Sequence, residues 1–307
     1  MSGQVLVRHD MKKIMEYKKI NDVLPFELER YCLSNNSQPL DIRSEFQQDL
    51  VNITISVLNG IDPNDIVLKT NIRDLLNKIS SNNYNEYIDR LKNIKYENPH
   101  HFTMLAQELI DRSMNDPVAF SGFTPTKSDT YISDINADIA EEFCQLSIKP
   151  SDSGEDIAFK KILTSMCQKQ FVEFTDINKK LDLNNKHRVD NFKGFMNLLG
   201  LLANRGILSS KIVVVCLHQI KSLIYKSDWG CQESENLFTG YTRLVSQLMY
   251  NFEATKCKNI DLLEAVIKVT ETIATENETN KKLRMMPMIS YQSMMEKLKL
   301  LLQKYGK

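Results

Sequence analysis

The fold turns on one stretch, VDNFKGFMNLLGLLANRGILSSKIVVVC, residues 189–216. Its apolar residues cover more than a single helical stripe, so helices built from it need neighbours on more than one side. Phe192, Phe195, Met196, Leu198, Leu199, Leu201 and Leu202 form the expected core face of the first helix. Asn204, Arg205 and Gly206 turn the chain, and Ser209 can cap the return helix. The stretch carries no catalytic residue set. It is a packing element, and several more of similar design flank it.

Working outward, glycine and proline are sparse, at 10 and 8 in 307 residues. Apolar residues recur at three and four spacing almost throughout, which predicts helix after helix. In NDIVLKTNIRDLLNKIS, Ile66, Ile72, Leu75, Leu76 and Ile79 make one stripe, with Asp62 or Asn64 as its cap. NEYIDRLKNIK and PHHFTMLAQELIDRSM follow, the second with Phe102, Leu105, Leu109 and Ile110 inward, and the two are expected to pair as a hairpin. Gly122 and Pro125 break the pattern before YISDINADIAEEFCQLSI, and KPSDSGED breaks it again before AFKKILTSMCQKQFVEF. TDINKKLDLNNKHR reads as an exposed loop leading into the opening stretch. Three more helices follow, ending around KKLRMMPMISYQSMMEKLKLLLQKY.

Roughly ten helices joined by short loops, without a fixed-period signature, predict an all-α HEAT-like solenoid of about five antiparallel helix pairs. The expected organisation is a helical domain over 46–307 preceded by an arm over 1–45. The arm holds a short amphipathic helix, MKKIMEYKKINDVLPFELERY, which reads either as a partner-binding segment or as an extra helix docked on the end of the solenoid.

Charge and cysteine usage narrow the function classes. The 39 basic and 39 acidic side chains cancel, so no global attraction to nucleic acid or membrane is expected. The six cysteines, Cys32, Cys144, Cys167, Cys216, Cys231 and Cys257, form no C-x-x-C pair. They read as buried free thiols of a reducing compartment, and the expected location is cytoplasmic. The longest apolar run, IVVVCL, is far too short for a bilayer span, and no secretory leader is evident in MSGQVLVRHDMKK.

Reactive constellations are not evident. There is no P-loop, no G-x-S-x-G and no H-E-x-x-H. His100 and His101 are adjacent, so they cannot form an i, i+4 ligand pair, and they read as a helix start. His218 reads as a partly buried histidine beside Cys216, and Glu141 and Glu142 as a solvated face. The expectation is a non-enzymatic protein without cofactor, metal or small-molecule substrate, acting through its surface on other macromolecules.

Four ordered stretches carry a resemblance. FKGFMNLLGLLANRGILSSKIVVVCLHQI (192–220) resembles the central helix hairpin in the middle domain of eukaryotic translation initiation factor 4G. IRDLLNKIS (72–80) is similar to the opening helix of that family, ILTSMCQKQFVEF (162–174) to its L-L-x-x-C-Q-K-E-F helix, and KKLRMMPMI (281–289) to the start of its final helix. The resemblance implies a stack of HEAT-type helix pairs that grips a DEAD-box RNA helicase of the factor 4A type. It implies helicase contacts at Tyr96, in the loop NIKYENPHH, and at Lys282, Arg284 and Met285, where methionine replaces the family's aromatic.

It also gives the arm a role. Family scaffolds bind a cap-binding protein of the factor 4E type through a tyrosine, four residues, a leucine and a hydrophobic residue. Here His9, Ile14 and Met15 stand at that spacing, followed by Leu24, with histidine in place of tyrosine. Direct RNA binding, implied by basic residues before the central hairpin, falls to Lys186, Arg188 and Lys193, with few positive charges and therefore a weak, salt-sensitive contact. The runner-up roles are an adaptor of the same fold in mRNA decay, nuclear cap binding or splicing, and an RNA-binding helical repeat protein without a helicase partner.

Overall fold

The computed structural model describes residues 62–116, 132–148, 156–176, 186–225 and 231–306. Ten helices run through them: α1 (Pro63–Lys78), α2 (Tyr84–Lys92), α3 (Pro99–Met114), α4 (Ile132–Phe143), α5 (Phe159–Thr175), α6 (Lys186–Asn204), α7 (Ser210–Ile224), α8 (Cys231–Ala254), α9 (Ile260–Asn280) and α10 (Met285–Tyr305). The described residues are all-α apart from two short strands, β1 (Ser147–Ile148) and β2 (Ile157–Ala158), which pair antiparallel. That two-residue ladder is absent from the sequence expectation, because two residues are too short to show a period. The chain divides into two units, with the boundary inside α1 between Leu68 and Lys69. Of the first, only 62–68 is described, so the expected boundary near residue 45 and the arm's His9, Ile14, Met15 and Leu24 lie outside the described residues.

Helix starts follow the local chemistry. Asp62 Oδ1 accepts from Asn64 N at 2.8 Å ahead of α1, and Asn98 caps α3 by accepting from His101 N at 3.1 Å, with Pro99 at N1. Ser209 Oγ accepts from Ile212 N and Asn259 Oδ1 from Leu262 N, starting α7 and α9. Gly206 takes the left-handed conformation at φ +69° in the α6–α7 turn.

Packing from α3 onward is that of a two-layer stack, in which helices lie against their next-but-one neighbours, as α3 does against α5 and α4 against α6, while sequence neighbours such as α7 and α8 pair in places. α6 packs against α8 and α8 against α10, while α7 packs against α9. The central helix α6 also lies against α3 and α4, which is why its apolar residues exceed one stripe. Phe192, Phe195, Met196 and Leu202 are wholly buried there. Each such side chain contributes roughly 1.5–3 kcal/mol through burial. An aromatic cluster of Tyr96, Phe102, Phe143 and Phe159 ties α3, α4 and α5 together, with ring centroids 5.3–5.7 Å apart.

Several expectations are corrected. The backbone of α3 approaches α4, α5 and α6 closely rather than α2, so the α2–α3 hairpin is not a tight one. α2 has just two buried residues, Ile88 and Leu91, too few to hold a whole helix face against one partner. Lys186, His187 and Arg188, read as loop, form the first turn of α6. His218 is exposed, not partly buried, because it falls on the outer side of α7, away from the buried Val213, Leu217 and Ile220.

Candidate interaction surface

The start of α10 combines a rigidly held turn with exposed apolar side chains. α9 ends at Lys281, which adopts the left-handed conformation at φ 51° and donates its N–H to the Asn277 carbonyl at 2.8 Å. The Asn277 side chain then clamps the next residues: its Nδ2 donates to the Leu283 carbonyl at 3.0 Å and its Oδ1 accepts from Leu283 N at 2.8 Å. Leu283 is buried. Arg284 follows at the N-cap position, where its backbone N donates to Glu235 Oε1 at 3.2 Å and its Nε to the same oxygen at 2.6 Å. Its Nη2 reaches both Gln232 and Glu235 Oε2 on α8. This fork-shaped, charge-assisted pairing holds the Glu235 carboxyl below the usual carboxylate range.

From that anchored turn α10 divides into two faces. Tyr291, Met294, Met295 and Leu298 are buried, while Met285, Met286 and Ile289 are 77%, 72% and 52% exposed. Spacings of three and four residues put these three on one strip of the helix surface. Flexible, polarizable methionines adapt to a partner's surface at small strain cost. The expected helicase residues Lys282 and Arg284 precede the helix rather than lying on it, since the left-handed residue at 281 ends α9 and the chain enters α10 only at Met285.

The other expected contacts are placed differently. Tyr96 turns its ring onto Phe102 and Phe143, and its hydroxyl donates to the Leu91 carbonyl at 3.1 Å. Burial raises its phenol's pKa. It therefore shapes the 93–98 loop from inside. Lys193 pairs with Asp190 at 3.2 Å and both are largely buried, while Arg188 donates to the Glu173 carbonyl at 3.3 Å. Lys186 occupies the first position of α6. The structure thus commits Lys193 and Arg188 to internal partners on and beside α6, and does not bring them to the α10 strip.

Sequence reasoning missed two buried polar arrangements. Glu108 of α3 is buried and accepts from Arg73 Nε at 3.0 Å and Nη2 at 2.9 Å, with Lys69 at 3.7 Å. Asp116, fully buried, accepts from Ser133 N at 3.0 Å and Oγ at 2.8 Å, so a carboxylate distant in sequence caps α4. Glu108 inside an otherwise apolar face, and Asp116 just before a proline, are the signals that could have raised them.

Among the described residues, no group of three His, Cys, Asp or Glu is placed to hold a metal ion, and no helix is long and apolar enough to cross a membrane. Compared with models of known protein families the chain matches none, and no curated protein matches it.

Proposed function

We propose that the chain is a translation-initiation scaffold that binds a DEAD-box RNA helicase of the factor 4A type and recruits a cap-binding protein of the factor 4E type through its first 45 residues. The observation that carries the helicase part is the α10 strip: Met285, Met286 and Ile289, exposed and apolar, start from a turn pinned by Asn277 and Arg284. A backbone already held in place at the turn reduces the ordering cost of binding. The strip begins at Met285, one of the helicase contacts that the resemblance implies. A stack of packed helices suits the task, because a scaffold that binds one arrangement of a two-lobed motor more tightly than others shifts the motor's population toward that arrangement.

RNA contact is secondary in this reading, since Lys193 and Arg188 are already engaged. Lys282, half-buried beside the strip, supplies positive charge at its edge. Tyr96 acts by holding the loop at 93–98.

The test is a binding titration of the full chain against a purified factor 4A-type helicase, with RNA-stimulated ATPase as second readout. The double substitution Met285→Glu and Met286→Glu is expected to weaken binding at least about tenfold, or ~1.4 kcal/mol. Circular dichroism should stay unchanged, because both side chains are exposed. Equal affinity of variant and wild type removes the strip from the interface, and no binding by the wild type ends the helicase reading. Retention on cap resin by way of a factor 4E-type protein, lost in a variant with His9, Ile14 and Met15 changed to alanine, tests the arm.

A further inference from the structure

α5 and α7 belong to the same layer of the stack, yet their backbones approach far less closely than those of α7 and α9. A groove of about 300 Å³ opens between them. Its floor is buried and apolar, formed by Phe171 of α5, Leu199 of α6 and Leu208 of the turn before α7. Its rims are apolar too, but open: Val172 is 54% and Val215 61% exposed. Exposed valines over a buried apolar floor form a continuous surface with water on one side only, the geometry in which a partner helix lays its apolar face.

Charge says which kind of helix. Of the residues lining the groove, Lys211 alone is charged, and no ion pair among the described residues includes it. Lys211 stands in the first turn of α7, which has no acidic residue. A cation there adds to the positive end of the helix dipole instead of balancing it, which mildly destabilises the free protein. An incoming carboxylate would meet both the ammonium and that helix end. The polar side chain at the opposite end needs nothing from outside, since Gln219 Nε2 donates to Thr175 Oγ1 at 3.0 Å.

We propose that the α5–α7 groove docks an amphipathic helix of a partner protein, with the helix's apolar face over Phe171 and Leu199 and an acidic residue toward Lys211. This surface is separate from the α10 strip and does not depend on the helicase reading.

The experiment selects binders to the full chain from a displayed library of amphipathic helical peptides, varied at i, i+3, i+4 and i+7, with one terminal position free to be acidic or basic. Selected peptides are expected to carry Asp or Glu at that position, and to bind Val215→Glu at least about tenfold more weakly. Lys211→Glu should reverse the preference to Lys or Arg. Both positions are exposed, so neither variant threatens the fold. The proposal is overturned if no peptide is selected, if binders show no acidic preference, or if they bind Val215→Glu as they bind wild type. It is equally overturned if light scattering finds a dimer that Val215→Glu returns to monomer, for then a second copy fills the groove.

Discussion

Arg284 shows how one residue converts a loop into a platform. Its guanidinium and backbone N–H both address Glu235, so the entry of α10 is tied to α8 by side chain and main chain together. The partners are 49 residues apart, which is why no local pattern announces them. Because the Glu235 carboxyl titrates below its ordinary value of 4.5, the tie is present above that pH and is lost as the pH falls through the depressed value. Replacing Glu235 with Gln is expected to raise amide hydrogen exchange at 284–290 about fivefold at neutral pH, the equivalent of ~1 kcal/mol of local stability. Unchanged exchange would mean that Asn277 and Leu283 suffice to hold the turn.

At the scale of the element, α6 and its turn depend on two glycines for different reasons. A Cβ on Gly194 would fall 2.6 Å from the Ser113 carbonyl oxygen and 2.8 Å from that of Met114, so glycine there lets α6 reach the backbone end of α3. Gly206 has open space around it, and its demand is the positive φ of the turn. Gly194→Ala should gain up to ~1 kcal/mol of helix propensity yet lose more through backbone displacement, about 1–3 kcal/mol. Gly206→Ala should cost about 1 kcal/mol through conformation alone. Thermal melts of the two variants read this, at about 1.5–2 °C per kcal/mol for a chain of this size. A Gly194→Ala variant that melts above the wild type would contradict the close approach.

At the scale of the molecule, burial suppresses the ionisation of the thiols and phenols that the helices enclose. Burial pushes the Cys167 thiol to about 12 and the Cys216 and Cys144 thiols to about 11, and it raises the phenols of Tyr225 and Tyr241 as well. The unfolded chain gives up its thiol protons near 9, so the folded state holds more protons than the unfolded one at higher pH. This contribution is complete below about pH 9 and is lost as the pH climbs through 11 and 12. Melting temperature is therefore expected to be level from about pH 7 to 9 and to fall beyond it. A melting temperature that rises above pH 9 would contradict the burial of these groups.

Helix content and the core of the central hairpin were legible in the residues, because both rest on local periodicity: an apolar residue every three or four positions needs no knowledge of its partner. Ser209, Gly206 and the phenylalanines of 189–216 were readable for that reason. Which helix lies against which is not local. α6 packs most closely on α8 rather than on its hairpin partner α7, and the α5–α7 gap exists because the helices of one layer are unevenly spaced. Tyr96 makes the same point in one side chain, since a loop tyrosine looks available until Phe143, 47 positions later by number, closes over its ring. The sequence by itself determined that this chain is a series of helices with apolar faces to bury. Only the tertiary structure decided which of those faces were covered and which, at Met285 and Val215, remained open, because burial is settled by neighbours that the chain brings together from far along its length.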